Sequence, residues 1–278
     1  MNGFRSMGCD VTLPFGVPVD DVRELFADRD NRFSRFRASS EINRVNAAPL
    51  GLTLLSNEFA SMLSLSIDAA GATDGLVSPC TGGALIAAGY DRDFALLPSD
   101  VGTVVPAVVP PLTTLSLRGR VLLRVEPVTL DLNGVVKGRT VDDALALTGR
   151  GWVSAGGDIA AAEPVVVGLP AGGSVTLHGG GLATSSVAKR SWLAGGTQQN
   201  HLIDPRTCRP TTSQWLHVTV AAASCHVADV AAKAALLLAL AGPRWLDDRG
   251  LAGRLVGHDG KIVLTRAWQL RVPEAQAA

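Results

Sequence analysis

Asp229 and Lys233 are the two formal charges in CHVADVAAKAALLLAL, residues 225–240. A spacing of four puts both on one face of a helix, a turn apart. Such a pair is either an exposed helix salt bridge worth about 0.3–0.5 kcal/mol or a buried ion pair inside a site. The apolar surroundings favour the buried arrangement. Two glycine-rich turns carry further candidates. DLNGVVKGRTVDD (131–143) combines Asp131, Gly134 and Lys137, and SAGGDIAA (154–161) brings Asp158 directly after two glycines. Backbone N–H groups at such turns can hold phosphate oxygens, and a lysine adds a point charge. Neither turn has the Gly-Lys-Ser/Thr ending of a P-loop or the glycine spacing of a dinucleotide fold. In HLIDPRTCRP (201–210), His201 is of the right type for a general base, and Asp204-Pro205 starts a turn.

Alternating and helical periods indicate the elements that hold these residues. MGCDVTLPF reads as an edge strand, and VPVDDVRELFADRDNRFSRF and SNEFASMLSLSIDAAGAT as amphipathic helices. SSEINRVNAA is a short helical turn with a serine cap, and DGLVSPCTGGALIAAGYD a loop entering a short helix. A proline-rich connector covers 97–113. TTLSLRG, RVLLRVE and VTLDL follow as strands, and VVKGRTVDDALALTGRG as a helix. Strand and turn segments then alternate to one long helix, 225–241, and a final hairpin, GRLVGHDGKIVLT; residues 267–278 read as a frayed tail. Helices and strands mix without strict alternation, so the expected class is α+β.

With 47% hydrophobic and 18% charged residues and a net charge of zero, the chain can bury a large core. It offers no basic footprint for nucleic acid. The longest apolar run is too short for a bilayer, and the first residues lack the apolar core of a signal peptide, so no membrane partner and a cytoplasmic location are expected. The spacing of Cys9, Cys80, Cys208 and Cys225 suits neither a zinc site nor a disulfide scaffold. Each reads as a packing residue.

Taken in order, MGCDV, FSRFRASSEINRVN, TDGLVSP, DLNGVVKG, VSAGGDI, ATSSVAKR, HLIDPRTCRP and HVADVAAKAALLLA resemble the ApbE family, the FAD:protein FMN transferases. The resemblance runs from about residue 7 to about residue 264 and implies a single T-fold-related α+β domain over 1–278, with mixed or antiparallel sheets and flanking helices. It also implies binding of FAD and transfer of its FMN half to a Thr or Ser hydroxyl of an acceptor flavoprotein, with release of AMP. On the family pattern Met7, Phe36, Leu76, Val77, Ser78, Asp131, Lys137, Asp158 and the Ile203 backbone border the FAD. His201 is the general base, and the Gly134 carbonyl and Asp229 face a magnesium ion.

This chain departs from the pattern where the family binds metal. Lys233 stands where the family carries a threonine ligand, and Ser78 where it carries an aspartate. Cys9, Cys80, Cys208 and Val187 replace other motif residues. Magnesium takes oxygen ligands, and an ammonium group offers it none. Lys233 is therefore expected to take the place of the cation and to join Lys137 and His201 in the chemistry. The alternative is a relative that binds FAD without transferring FMN, or one whose cleft serves another, biosynthetic substrate.

Overall fold

The structure is a computed structural model that describes residues 1–271 and 274–275. The chain forms two compact units. One comprises Met1–Ala27, Lys137–Ala188 and Thr212–Ala278; the other comprises Asp28–Val136 and Lys189–Thr211. Sheets are antiparallel and helices flank them, so the class is α+β.

The first unit is built on an eight-stranded sheet. Its strands, in spatial order, are Asn2–Ser6, Cys9–Leu13, Trp152–Ala155, Asp158–Ala161, Gly180–Ser186, Trp215–Ala222, Ala252–Gly257 and Ile262–Leu264. Spatial order is chain order. The edge strand expected around Cys9–Leu13 is covered by a further strand, Asn2–Ser6, which the sequence pattern did not single out. Gly156 and Gly157 join two central strands with φ of 62° and 100°. Both lie in the left-handed region that a two-residue hairpin of this twist requires, which is why a Gly-Gly pair precedes Asp158.

Helices α1 (Val19–Phe33), α2 (Glu41–Ala47), α3 (Asn57–Ala72), α4 (Gly82–Ala87), α5 (Val136–Thr148), α6 (Cys225–Leu237), α7 (Gly242–Asp248) and α8 (Arg266–Arg271) complete the regular structure. In the first unit Val22 and Phe26 of α1 pack with Val141 and Ala144 of α5 and with Val11, Leu13 and Val153 of the sheet. The opposite end of α1 belongs to the second unit, where Phe33 stacks on Phe59 of α3 at 5.5 Å between ring centroids. Ser40 and Ser56 cap α2 and α3 by accepting the Asn43 and Phe59 N–H groups.

Three expectations are corrected. VTLDL (128–132) is not a strand, although Val128, Leu130 and Leu132 are buried as alternation predicts. The Asn46 side-chain amide instead pairs with both the N–H and the C=O of Leu130, and the Asp131 N–H donates to the Pro79 carbonyl. The long helix stops at Leu237; Ala239, at φ 52°, breaks the path and α7 starts at Gly242. Within 267–278, α8 buries Trp268 completely beside Ile159, Val175 and Leu177, and Glu274–Ala275 pairs with Ser174–Leu177. A buried indole, not chain position, decides that this end is held. Residues 272–273 and 276–278 lie outside the described residues.

The 97–113 connector is irregular up to a 3-10 turn at Leu112–Thr114. Asp100 fixes it within the second unit by accepting the N–H groups of Gly102, Gly195 and Gly196, each at 2.8 Å. No described helix is long and apolar enough to cross a membrane.

Candidate functional site

In the first unit three elements bring four charges into play. The first turn of α5 carries Lys137, the Gly-Gly hairpin delivers Asp158 at the start of a buried strand, and α6 carries Asp229 and Lys233. The Lys137 ammonium pairs with Asp158, and the Lys233 ammonium with Asp229. The Asp158 and Asp229 side chains are 0% and 2% exposed, and Lys233 is only 14% exposed. The buried reading of the Asp229–Lys233 pair therefore holds. Asp158 also accepts the Thr184 N–H at 3.2 Å. Asp229 Oδ2 is buried with no hydrogen-bond partner among the described residues.

These charges set one another's protonation. Burial pushes the Asp229 carboxyl up, but the Lys233 and Lys137 ammonium groups together outweigh it and hold Asp229 below the usual carboxylate range. Burial pushes Lys137 down, as does repulsion from Lys233, while Asp229 opposes both. Gly138 permits the crowding. A Cβ there would lie 3.0 Å from both the Asp229 Cβ and the His226 Cα.

Asp142, one turn beyond Gly138 on α5, closes the N-terminus of α6. Its carboxylate accepts the N–H groups of Cys225 and His226, each at 2.8 Å, and Ser224 Oγ accepts that of Val227. The first donors of this helix are thus already used. Motif reading gave Asp142 no role; its only sequence signal is its helical spacing from Gly138. His226 is held below its usual pKa by burial, so its imidazole is neutral near pH 7. Burial drives the Cys225 thiol well up, in keeping with a packing role.

In the second unit the structure places Asp131 against Arg35. The Arg35 Nε donates to Asp131 Oδ2 at 2.5 Å, both side chains are at most 5% exposed, and the Asn133 N–H donates to Asp131 Oδ1 at 2.8 Å. Arg35 lies over the rings of Phe36 and Tyr90, at 5.1 and 5.8 Å to their centroids. Tyr90 packs on Phe36 at 5.2 Å and on Trp192 at 5.3 Å, with Ile203 in the same cluster. Phe36 is half-buried and keeps part of its surface open. Arg35, Tyr90 and Trp192 escaped the sequence reading because their partners are distant in the chain.

Leu76 and Val77 are buried, and Ser78 Oγ accepts the Cys80 N–H at 3.2 Å, capping the turn Pro79–Thr81. A Cβ on Gly134 would meet Val77 Cγ1 at 3.1 Å. His201 is half-buried, with Nδ1 at 3.4 Å from the Arg190 carbonyl oxygen. Met7 sits at φ 50° in the first hairpin, before Gly8. Met7 and Gly8, at φ 50° and 69°, form the two-residue turn between the paired Ser6 and Cys9, and a tight hairpin of this twist requires positive φ at both.

The residues around Asp229 do not fit a divalent cation. One carboxylate oxygen faces the Lys233 ammonium, which supplies no ligand and repels a cation. Among the described residues no group of three or more His, Cys, Asp or Glu side chains is placed to hold a metal.

The model of the ApbE family matches residues 7–255. An FAD:protein FMN transferase of Rhodobacter capsulatus is 29% identical over 92% of this chain and 55% of its own length, so the chain spans about half of that relative. Among solved structures, the ApbE protein of Thermotoga maritima superposes with a TM-score of 0.82 at 22% identity, covering 97% of each chain. The flavinyl transferase ApbE of Pseudomonas stutzeri gives 0.81 at 20% identity, over 97% of this chain and 96% of its own. For the flavin transferase ApbE of Vibrio cholerae the score is 0.78 at 19% identity, over 97% of each. At these identities the structures speak for the fold, and the family match over most of the chain decides ancestry: this protein belongs to the ApbE family.

Proposed function

We propose that the chain is an FAD:protein FMN transferase in which a lysine serves where relatives use a metal ion. The observation that carries this reading is the buried Lys233–Asp229 pair, together with Lys137–Asp158. The reaction breaks the phosphoanhydride of FAD. An acceptor hydroxyl oxygen bonds to the FMN phosphorus, the bond to the bridging oxygen breaks, and AMP leaves with that oxygen. Negative charge accumulates on the phosphate oxygens as the bonds change, so fixed cations lower the barrier. Each lysine ammonium has three donors and spends one on its aspartate, leaving two for phosphate oxygens. The aspartates hold both ammonium groups in place.

His201 is the proposed base. With Nδ1–H donating to the Arg190 carbonyl, Nε2 carries the lone pair that takes the hydroxyl proton. Phe36 is the proposed surface for a flat ring of FAD, supported by its place at the open side of the aromatic cluster, and Met7, Leu76, Val77, Ser78 and Ile203 complete the proposed contacts. Asp131 acts at one remove by holding Arg35 beneath Phe36. The acceptor is a flavoprotein domain presenting a Thr or Ser hydroxyl.

A second reading is favoured by the same lysine. If the ammonium groups hold the diphosphate too firmly for AMP to leave, FAD stays bound intact. His201→Gln separates binding from chemistry. The variant is expected to bind FAD as the parent does, followed by quenching of flavin fluorescence, and to lose at least about 100-fold in AMP release, the usual contribution of a general base. Equal loss of binding and chemistry would make His201 a binding residue instead.

A further inference from the structure

In the second unit Gly51–Leu54, Val121–Arg124 and Leu115–Arg118 form a three-stranded antiparallel sheet with Val121–Arg124 in the middle. Leu52 lies opposite Leu123 and Leu54 opposite Val121, and on the other side of the middle strand Ser116 and Arg118 continue these two rows. Residues directly opposite one another share a face. One face therefore carries Leu52, Leu54, Val121 and Leu123, while Leu115 and Leu122 are buried on the other. Leu52 and Leu54 are 74% and 71% exposed, and at the end where Gly51 pairs with Arg124 the neighbouring Leu50 and Val125 are 53% and 58% exposed.

An antiparallel sheet with one face in water alternates polar and apolar residues, polar side out. The edge strand GLTL inverts that order: Gly51 and Thr53 point inward and the leucines outward. Its exposed side chains, with those of Leu50, Val121 and Val125, leave on the order of 500 Å² of apolar surface in one patch, in the upper part of the range for the largest patch of a monomer. Closing it against an equal patch would bury about 1,000 Å² in total, the size that a specific interface has to reach. Pairing of the edge strand with another edge would leave the leucines in water. Packing sheet face on sheet face removes them.

The flanking charges give the direction. Arg118 stands on this face at the Leu54 and Val121 end, Glu126 follows Val125 at the opposite end, and both are exposed. A two-fold axis running across the strands sets Arg118 of each copy beside Glu126 of the other, whereas an axis along the strands sets like charges together.

We propose that this face packs against the same face of a second copy of the chain, about a two-fold axis that runs across the strands. None of these residues belongs to the set assigned to FAD.

Sedimentation equilibrium of the full chain tests the proposal. A monomer–dimer equilibrium with a Kd on the order of micromolar is expected, because the interface lies at the lower limit of size. Leu52→Glu combined with Leu54→Glu should weaken the dimer at least about 100-fold by setting like charges together in an apolar contact. The unfolding midpoint of the dilute protein should stay that of the parent, since both side chains already lie in water. Arg118→Glu and Glu126→Arg should each weaken the dimer at least about tenfold, and the two together should restore it. A parent chain that remains monomeric at about 100 μM, a dimer that survives Leu52→Glu/Leu54→Glu, or a charge exchange that restores nothing would each overturn the proposal. A monomeric chain that cosediments with phosphatidylcholine vesicles would overturn it in favour of a lipid surface.

Discussion

At the scale of single residues, the protein pairs each of two buried aspartates with its own lysine. The stability of that arrangement is asymmetric. Asp229→Asn leaves the Lys233 ammonium buried without a counter-charge and is expected to cost about 3–5 kcal/mol, whereas Asp229→Asn combined with Lys233→Met removes both charges and should recover most of the loss. Urea unfolding of the two variants checks this; equal destabilisation by both would mean the pair is held open to water. His226 supplies a pH prediction. Its folded pKa lies below 6.5 because burial disfavours the imidazolium, so the unfolded chain takes up the proton first. Its contribution is fully present above about pH 6.5 and is lost as pH falls through the folded value. His226→Gln should flatten that part of the stability curve; an unchanged slope would show that other groups carry it.

At the scale of elements, α5 and α6 are joined by small contacts with large leverage. Asp142 accepts two backbone donors of α6, and Asp142→Ala should cost about 1–2 kcal/mol, as loss of a helix cap does. Gly138→Ala forces a methyl group to within 3.0 Å of the α6 backbone and should cost about 1–3 kcal/mol through overpacking. Thermal unfolding distinguishes these from a surface substitution, which would shift little. The same elements explain what the sequence could reveal. The Asp229–Lys233 spacing, the Gly-Gly-Asp turn and the serine cap of SSEINRVNAA are local and were readable in short windows. The Arg35–Asp131 pair spans 96 positions and the Asp142–Cys225 cap 83, so no local pattern announces them. VTLDL misled because its apolar alternation is real, while its backbone is engaged by the Asn46 side chain instead of a neighbouring strand. Trp268 misled in the opposite direction, as a buried anchor in what composition presented as a tail.

At the scale of the molecule, an ApbE-family chain with the family's fold carries an internal ammonium group at the position where the resemblance led to a metal ligand. The measurement that bears on this most directly is release of AMP from FAD by the EDTA-stripped protein, with and without added magnesium. The account predicts AMP release that magnesium changes by less than about twofold, because Lys233 already supplies the positive charge, and a Lys233→Thr variant whose activity becomes dependent on the ion. AMP formed by the parent protein only when magnesium is present would contradict it.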